Sequence, residues 1–233
     1  MPTEKPDSIL ESRRQLLINA LRAGVFMGAT GASVKGWGMA KVSKELPPGR
    51  SIYDLSGEVT IDGVAATLET QVKHDSVVKT GSDGEIIFAV GKDAFLMRSD
   101  STLRLEGNNG LVDTLNLLTG KLLSVFGKTT HTAKTVVATI GIRGTGIYME
   151  SEPDRTYICT CYGIVDLESN NDSTSAQTVK TTYHDAPRYI LADAEPGQHI
   201  IPAPVINHTD AELVLVEELV GRLPPFGTRN RNY

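Results

Sequence analysis

Cysteine is scarce in this chain: Cys159 and Cys161 are the two in 233 residues, too few for a disulfide framework. Aromatic residues make up 6%, with one tryptophan, which argues against a platform that stacks bases or sugars. No run or stripe of Lys and Arg occurs, and 23 basic against 28 acidic residues give a formal net charge of -5. Nucleic-acid binding therefore has no electrostatic footprint here. Long apolar runs are missing too. The best stretch, from Ile18 to Ala32, contains Asn19 and Arg22 and falls short of the ~20 apolar residues needed to span a bilayer. Catalytic signatures are lacking as well. Gly144-Thr145-Gly146 is not followed by the Lys-Ser/Thr of a phosphate-binding loop, and there is neither Gly-x-Ser-x-Gly nor His-Glu-x-x-His. The chain is not expected to be an enzyme, although sites assembled from distant residues are invisible to motif reading.

What is present has ordinary globular proportions. Hydrophobic residues at 40% and charged residues at 22% suit one cored domain with tails. Residues 1–40 read as an export signal or a weak membrane anchor. Arg13 and Arg14 follow Ser12 and precede Gln15-Leu16-Leu17 and a mildly apolar, Gly/Ala-rich stretch. Ala29-Thr30-Gly31-Ala32 offers small residues for cleavage, after Ala32 or after Ala40. The arginine pair resembles the twin-arginine export motif. The expected location is the periplasm, with the inner membrane as the alternative, and membrane contact only through this segment. Residues 41–54, with Pro47-Pro48-Gly49, read as a linker.

Residues 55–168 read as a β domain. Short alternating runs such as Val77–Thr80, Glu85–Val90 and Thr102–Glu106 are separated by Gly, Asp and Asn turns. The beat is roughly 8–12 residues, as in a sandwich, barrel or solenoid. Residues 169–206 read as an exposed, mobile polar loop (Ser169 to Gln177) followed by an extended extension, whose Pro202 and Pro204 exclude a central strand. Residues 207–233 read as a capping helix and tail. Thr209 and Glu212 have capping-box spacing. Leu213, Val216, Val220 and Leu223 form an apolar stripe, Glu217 and Glu218 are expected outward, and Pro224-Pro225 stops the helix. The helix is expected to close one end of the β stack.

The chain is organised around Thr132 to Leu167, read as two strands joined by a polar turn at Glu150 to Arg155 and kinked at Gly141, Gly144 and Gly146. Arg143, Gly144 and Thr145 form the corner. Arg143 is expected to bridge carbonyls or a carboxylate there, with contact to a partner as the rival role. The run Val137-Ala138-Thr139-Ile140-Gly141-Ile142-Arg143-Gly144-Thr145, then Tyr157 to Leu167, resembles the end of a FecR-type domain, the ferric-citrate regulator family of bacteria. The resemblance extends upstream to about His74, through Val77 to Gly84, Ile86 to Phe88, Ser101 to Leu105 and Leu117 to Leu123.

That resemblance implies a twisted β-solenoid-like arrangement. The expected fold is thus all-β: a twisted β-solenoid/sandwich-like stack of short strands with one C-terminal helix. Such proteins sit in the inner membrane, pass a signal from an outer-membrane receptor and regulate a sigma factor. Here about fifteen residues precede the apolar segment, so a cytoplasmic helical domain and a sigma-factor partner are not expected. The expected function is a non-enzymatic extracytoplasmic signalling or protein-binding module, linked to iron uptake, with an envelope protein as its partner.

One constellation could carry chemistry of its own. Residues two apart on a strand share a face, so Tyr157, Cys159 and Cys161 should lie together. His184 could approach them if its strand pairs alongside, completing a three-ligand set for a soft metal. Against this, Cys-x-Cys lacks the usual two-residue gap of zinc sites and no fourth ligand stands out. The first reading is two small, inert, buried residues. A metal- or haem-binding centre is the alternative, and a disulfide between neighbours two apart would be strained. His74, His131, His199 and His208 are expected to be solvated at turns and element ends.

Overall fold

The computed structural model describes residue 46 and residues 49–227. The export motif Arg13-Arg14 lies outside the described residues, as does half of the linker, residues 41–45 and 47–48. Among the described residues, no helix is long and apolar enough to cross a membrane.

Strand formation begins at β1 (Ile52–Ser56), earlier than the linker reading allowed, because Ile52 and its neighbours pair antiparallel with β5 (Glu85–Val90). β2 (Val59–Ile61), β3 (Val64–Ala65) and β4 (Val77–Thr80) follow, then β6 (Asp93–Met97) and β7 (Thr102–Asn108). The next strand, β8 (Leu111–Val125), is 15 residues long. After β9 (Thr130–Lys134) come β10 (Ala138–Ser151) and β11 (Arg155–Ser169), antiparallel to each other through the turn at Glu152–Asp154. β12 (Ala176–Thr181), β13 (Arg188–Leu191) and β14 (Ile200–Pro202) complete the strands. β14 is an edge, as its proline requires.

All fourteen strands belong to one sheet, antiparallel except for the β8–β9 pair. The three long strands hold it together by changing neighbours along their length. β8 pairs β7 with its first half, then β6 and β10 with its second. β10 pairs β9 before the Gly144 bend and β8 after it. β11 pairs β13 through Arg155–Ile158 and β12 through Gly163–Glu168. Residues 169–206 are thus part of this sheet and not an appendage to it. The sheet wraps one core, in which Phe88, Phe95, Leu117, Leu122, Ile147 and Ile158 meet.

The long strands differ from the expected short ones for a local reason. Gly120 looks like a strand end, but it takes φ +92° and lets Ser101 press where a side chain would stand. The strand therefore passes through it. Gly163, at φ +98°, does the same opposite the Arg143 corner, where a Cβ would lie 2.3 Å from Thr145 Cγ2. The pairing shifts register between Arg143 and Gly146. Arg143 itself forms an ion pair with Asp166, both half exposed. The polar loop after β11 is held in place: Asp172 accepts hydrogen bonds from the Thr174 N–H and O–H, the Ser175 hydroxyl and the Gly197 N–H.

Helix α1 (Asp210–Leu219) starts with the capping box, Thr209 accepting from the Glu212 N–H and the Glu212 carboxylate accepting from the Thr209 N–H. It lies over the middle of the sheet, against β6 and β8, instead of closing an end. Helical geometry decides which residues go inside. Leu213, Leu215, Val216 and Leu219 are buried, each worth about 1.5–3 kcal/mol in transfer terms. Leu223 lies beyond the helix end and is 56% exposed. Glu217, expected outward, is 1% exposed: its carboxylate accepts from Tyr162 and from the Arg222 guanidinium, and burial raises its pKa. The face under the helix carries a row of directly paired residues across five strands: Ile87, Leu96, Leu123, Tyr148 and Cys159.

Candidate metal centre

That row ends at a polar cluster. Alternation along β11 sends Ile158 into the main core and Tyr157, Cys159 and Cys161 to the helix-covered face. Both thiols are buried and unbridged. His184 is brought to them by the turn after β12. Its N–H donates to the Cys161 carbonyl at 3.0 Å, and its φ of +48° turns the side chain back over β11. A left-handed histidine is uncommon, and such strain is stored where a side chain must be aimed.

The fourth member is His208, one residue before the N-cap of α1. It is 5% exposed, so the expectation of a solvated histidine does not hold. His131, His184 and His199 are buried as well. His131 is held by the Val112 carbonyl and Thr129, and His199 faces Asp172. Only His184 and His208 reach the cysteines: one ligand atom from each of Cys159, Cys161, His184 and His208 falls within 4.8 Å of all the others.

The outer ring nitrogens of both histidines face oxygen atoms. His208 Nδ1 lies 2.6 Å from the Ile206 carbonyl, which can only accept, so Nδ1 is the donor there. His184 Nε2 lies 3.3 Å from Asp210 Oδ1, and the other oxygen of that carboxylate accepts from Tyr183 at 2.6 Å. The inner nitrogens, His208 Nε2 and His184 Nδ1, share a hydrogen bond of 3.0 Å, with Cys159 Sγ 3.4 Å from His184 Nδ1. The Cys159 thiol pKa is lowered, first by the Cys161 thiol and then by the two imidazoles, while burial pushes Cys161 up. The positive end of α1 lies beside the cluster and favours a thiolate.

Aromatic side chains seal it. Tyr148 stacks on His208 at 4.7 Å, and Phe226 meets Tyr183 edge-on at 4.8 Å with its ring 6.0 Å from His184. Burial pushes the Tyr148 and Tyr157 hydroxyls far above the usual phenol range. They serve as hydrogen-bond donors, Tyr148 to Glu150 and Tyr157 to the Pro204 carbonyl.

Of the residues singled out in the sequence, Cys159, Cys161 and His184 come together here. Arg143, Gly144 and Thr145 do not. His208 and Asp210 were missed. The available signal was a histidine directly ahead of a capping box, where a helix start holds it rigidly, but nothing in its spacing ties it to Cys-x-Cys.

No protein-family model and no curated protein matches the sequence. Two solved structures overlap part of the chain, both titled as a "putative anti-sigma factor" from Parabacteroides distasonis, at 1.65 Å and 2.50 Å resolution. Identity is 7% and 8%, with TM-scores of 0.44 and 0.45, over 55% of this chain and 58% of each of theirs. Overlap of that extent assigns neither family nor activity to this chain.

Proposed function

We propose that this protein is an exported metal-binding module that holds one soft divalent or monovalent ion between Cys159, Cys161, His184 and His208. The observation that supports it is the convergence of two buried imidazoles and two buried thiols, whose four ligand atoms all lie within 4.8 Å of one another, with the two inner imidazole nitrogens 3.0 Å apart. A tetrahedral zinc ion spaces two nitrogen ligands about 3.3 Å and two sulfur ligands about 3.8 Å apart, within the spread seen here. The outer contacts to Asp210 and Ile206 are those that orient metal-bound imidazoles. Four buried protein ligands make a closed site, suited to holding an ion and not to activating water. So compact a set favours a single ion over haem, whose axial ligands stand on opposite sides of a macrocycle.

Export and envelope placement rest on the Arg13-Arg14 motif. Signalling by contact with an envelope partner rests on the FecR-type resemblance, with metal occupancy as the signal. The expectation against a sigma-factor partner has no support from the structures reported above. Elemental analysis of the purified full chain is the direct test. One equivalent of zinc or copper, lost in Cys159→Ser/Cys161→Ser protein that keeps its β circular dichroism, is expected. Folded wild-type protein that takes up no metal at equimolar supply would sink the reading.

A further inference from the structure

We infer that the ion acts as a latch holding the C-terminal segment, residues 203–227, on the second face of the sheet, an inference that rests on the metal reading above. The ligands come from elements of unequal anchorage. Cys159 and Cys161 lie in β11, which is paired along one edge with β10 and along the other with β12 and β13. His184 hangs on the turn after β12, tied to the Cys161 carbonyl. His208 and Asp210 belong to a segment that adds no strand after β14. One is the residue before the N-cap, the other the first helical residue.

Helix α1 has 10 residues. Isolated helices shorter than about 12–15 residues are marginal in water, so α1 persists only while docked. Polar anchors tie its segment to the rest of the chain: the Arg98 guanidinium donates to the Asn207 carbonyl at 3.0 Å and to Glu212 at 2.7 Å, Asn207 donates to Glu150 at 2.8 Å, Tyr183 donates to Asp210 at 2.6 Å, Tyr157 to the Pro204 carbonyl at 2.9 Å, Arg222 to the Lys92 carbonyl at 2.7 Å, and Tyr162 to Glu217. An ion held by all four ligands must release His208 before the start of α1 can leave the sheet, so its binding free energy adds to the docking of this segment. Metal occupancy is thereby written into the docking of a helix that covers Leu96, Leu123 and Tyr148.

Hydrogen exchange read by mass spectrometry on the full chain tests this, comparing zinc-loaded, chelator-stripped and His208→Ala protein, with zinc content measured in parallel. With free zinc at about one hundred times its Kd, openings that break the site are suppressed about one hundredfold. The amides of residues 211–221 should slow by that factor on loading, while those of β8 and the second half of β10 change little. In His208→Ala the same amides should exchange quickly with or without zinc. Stoichiometric zinc with no change, or with an equal change across the whole sheet, overturns the latch and leaves the metal reading standing. Zinc protection of α1 that survives in His208→Ala overturns the latch as well. Absence of bound zinc in the wild type overturns both.

Discussion

His184 Nδ1 and His208 Nε2 stand 3.0 Å apart, each with its ring's opposite nitrogen directed at an oxygen acceptor. The pair joins two chain segments that share no strand pairing, the turn after β12 and the lead-in to α1. Its arrangement sets what should be measured.

Cobalt(II) offered to the stripped protein should give the intense visible bands of a tetrahedral ion and a sulfur-to-metal charge-transfer band in the near ultraviolet. Cys159→Ser should weaken the charge-transfer band and Cys159→Ser/Cys161→Ser should abolish it. Octahedral-type weak spectra in the wild type would place the cobalt elsewhere.

Asp210 positions His184 without touching the ion. Asp210→Asn should therefore lower metal affinity by about 10–100-fold, the usual loss when such a partner is removed. Competition with a chromophoric chelator reads this directly. Unchanged affinity would show that the carboxylate has no such role.

Metal binding must expel the thiol proton that burial holds on Cys161. Affinity should fall as pH falls, and calorimetry in two buffers of different ionisation enthalpy should report net proton release on binding. A pH-independent affinity with no released proton would contradict a thiolate ligand set.

Asp172 gives a pH dependence away from the site. Its carboxyl is held well below the ordinary 3.8, first by the Gly197 N–H and then by Thr174 and Ser175. The unfolded chain binds the proton first as pH falls, so the stabilisation is complete above that value and shrinks steadily below it. Urea unfolding should find wild type more stable than Asp172→Asn at pH 7, with the gap closing in acid. A gap that is constant with pH would mean the charged form contributes nothing.

Gly163→Ala should destabilise the domain by about 1–3 kcal/mol or more, since the residue sits at positive φ and the added Cβ would meet Thr145 Cγ2 at 2.3 Å. Thermal unfolding of the variant checks it. A neutral result would mean that the Arg143 corner relaxes freely.

Much of the architecture was legible in the chain. Period-two alternation with Gly, Asp and Asn turns implies strands, Thr209 and Glu212 imply a helix start, and the glycines around Arg143 imply a bend. These are local properties, set by φ/ψ preferences and by hydrogen bonds between near neighbours. The hairpin of β10 and β11 also put Cys159 and Cys161 on one face by simple alternation. Strand lengths were less legible, because a glycine with positive φ can either end a strand or let it pass. Gly120 does the second, since Ser101 occupies the space beside it.

What sequence could not supply was the company those cysteines keep. His208 reaches them because α1 crosses the sheet and Asp210 turns toward His184, contacts between segments far apart in the chain. Burial of Glu217 has the same origin: its place on the helix looked outward until Tyr162 and Arg222 closed over it. Local pattern determined which elements form and which faces are apolar. The assembly of a closed four-ligand centre was decided by tertiary packing, because ligand geometry depends on where separate elements cross, and no periodicity in the chain encodes a crossing.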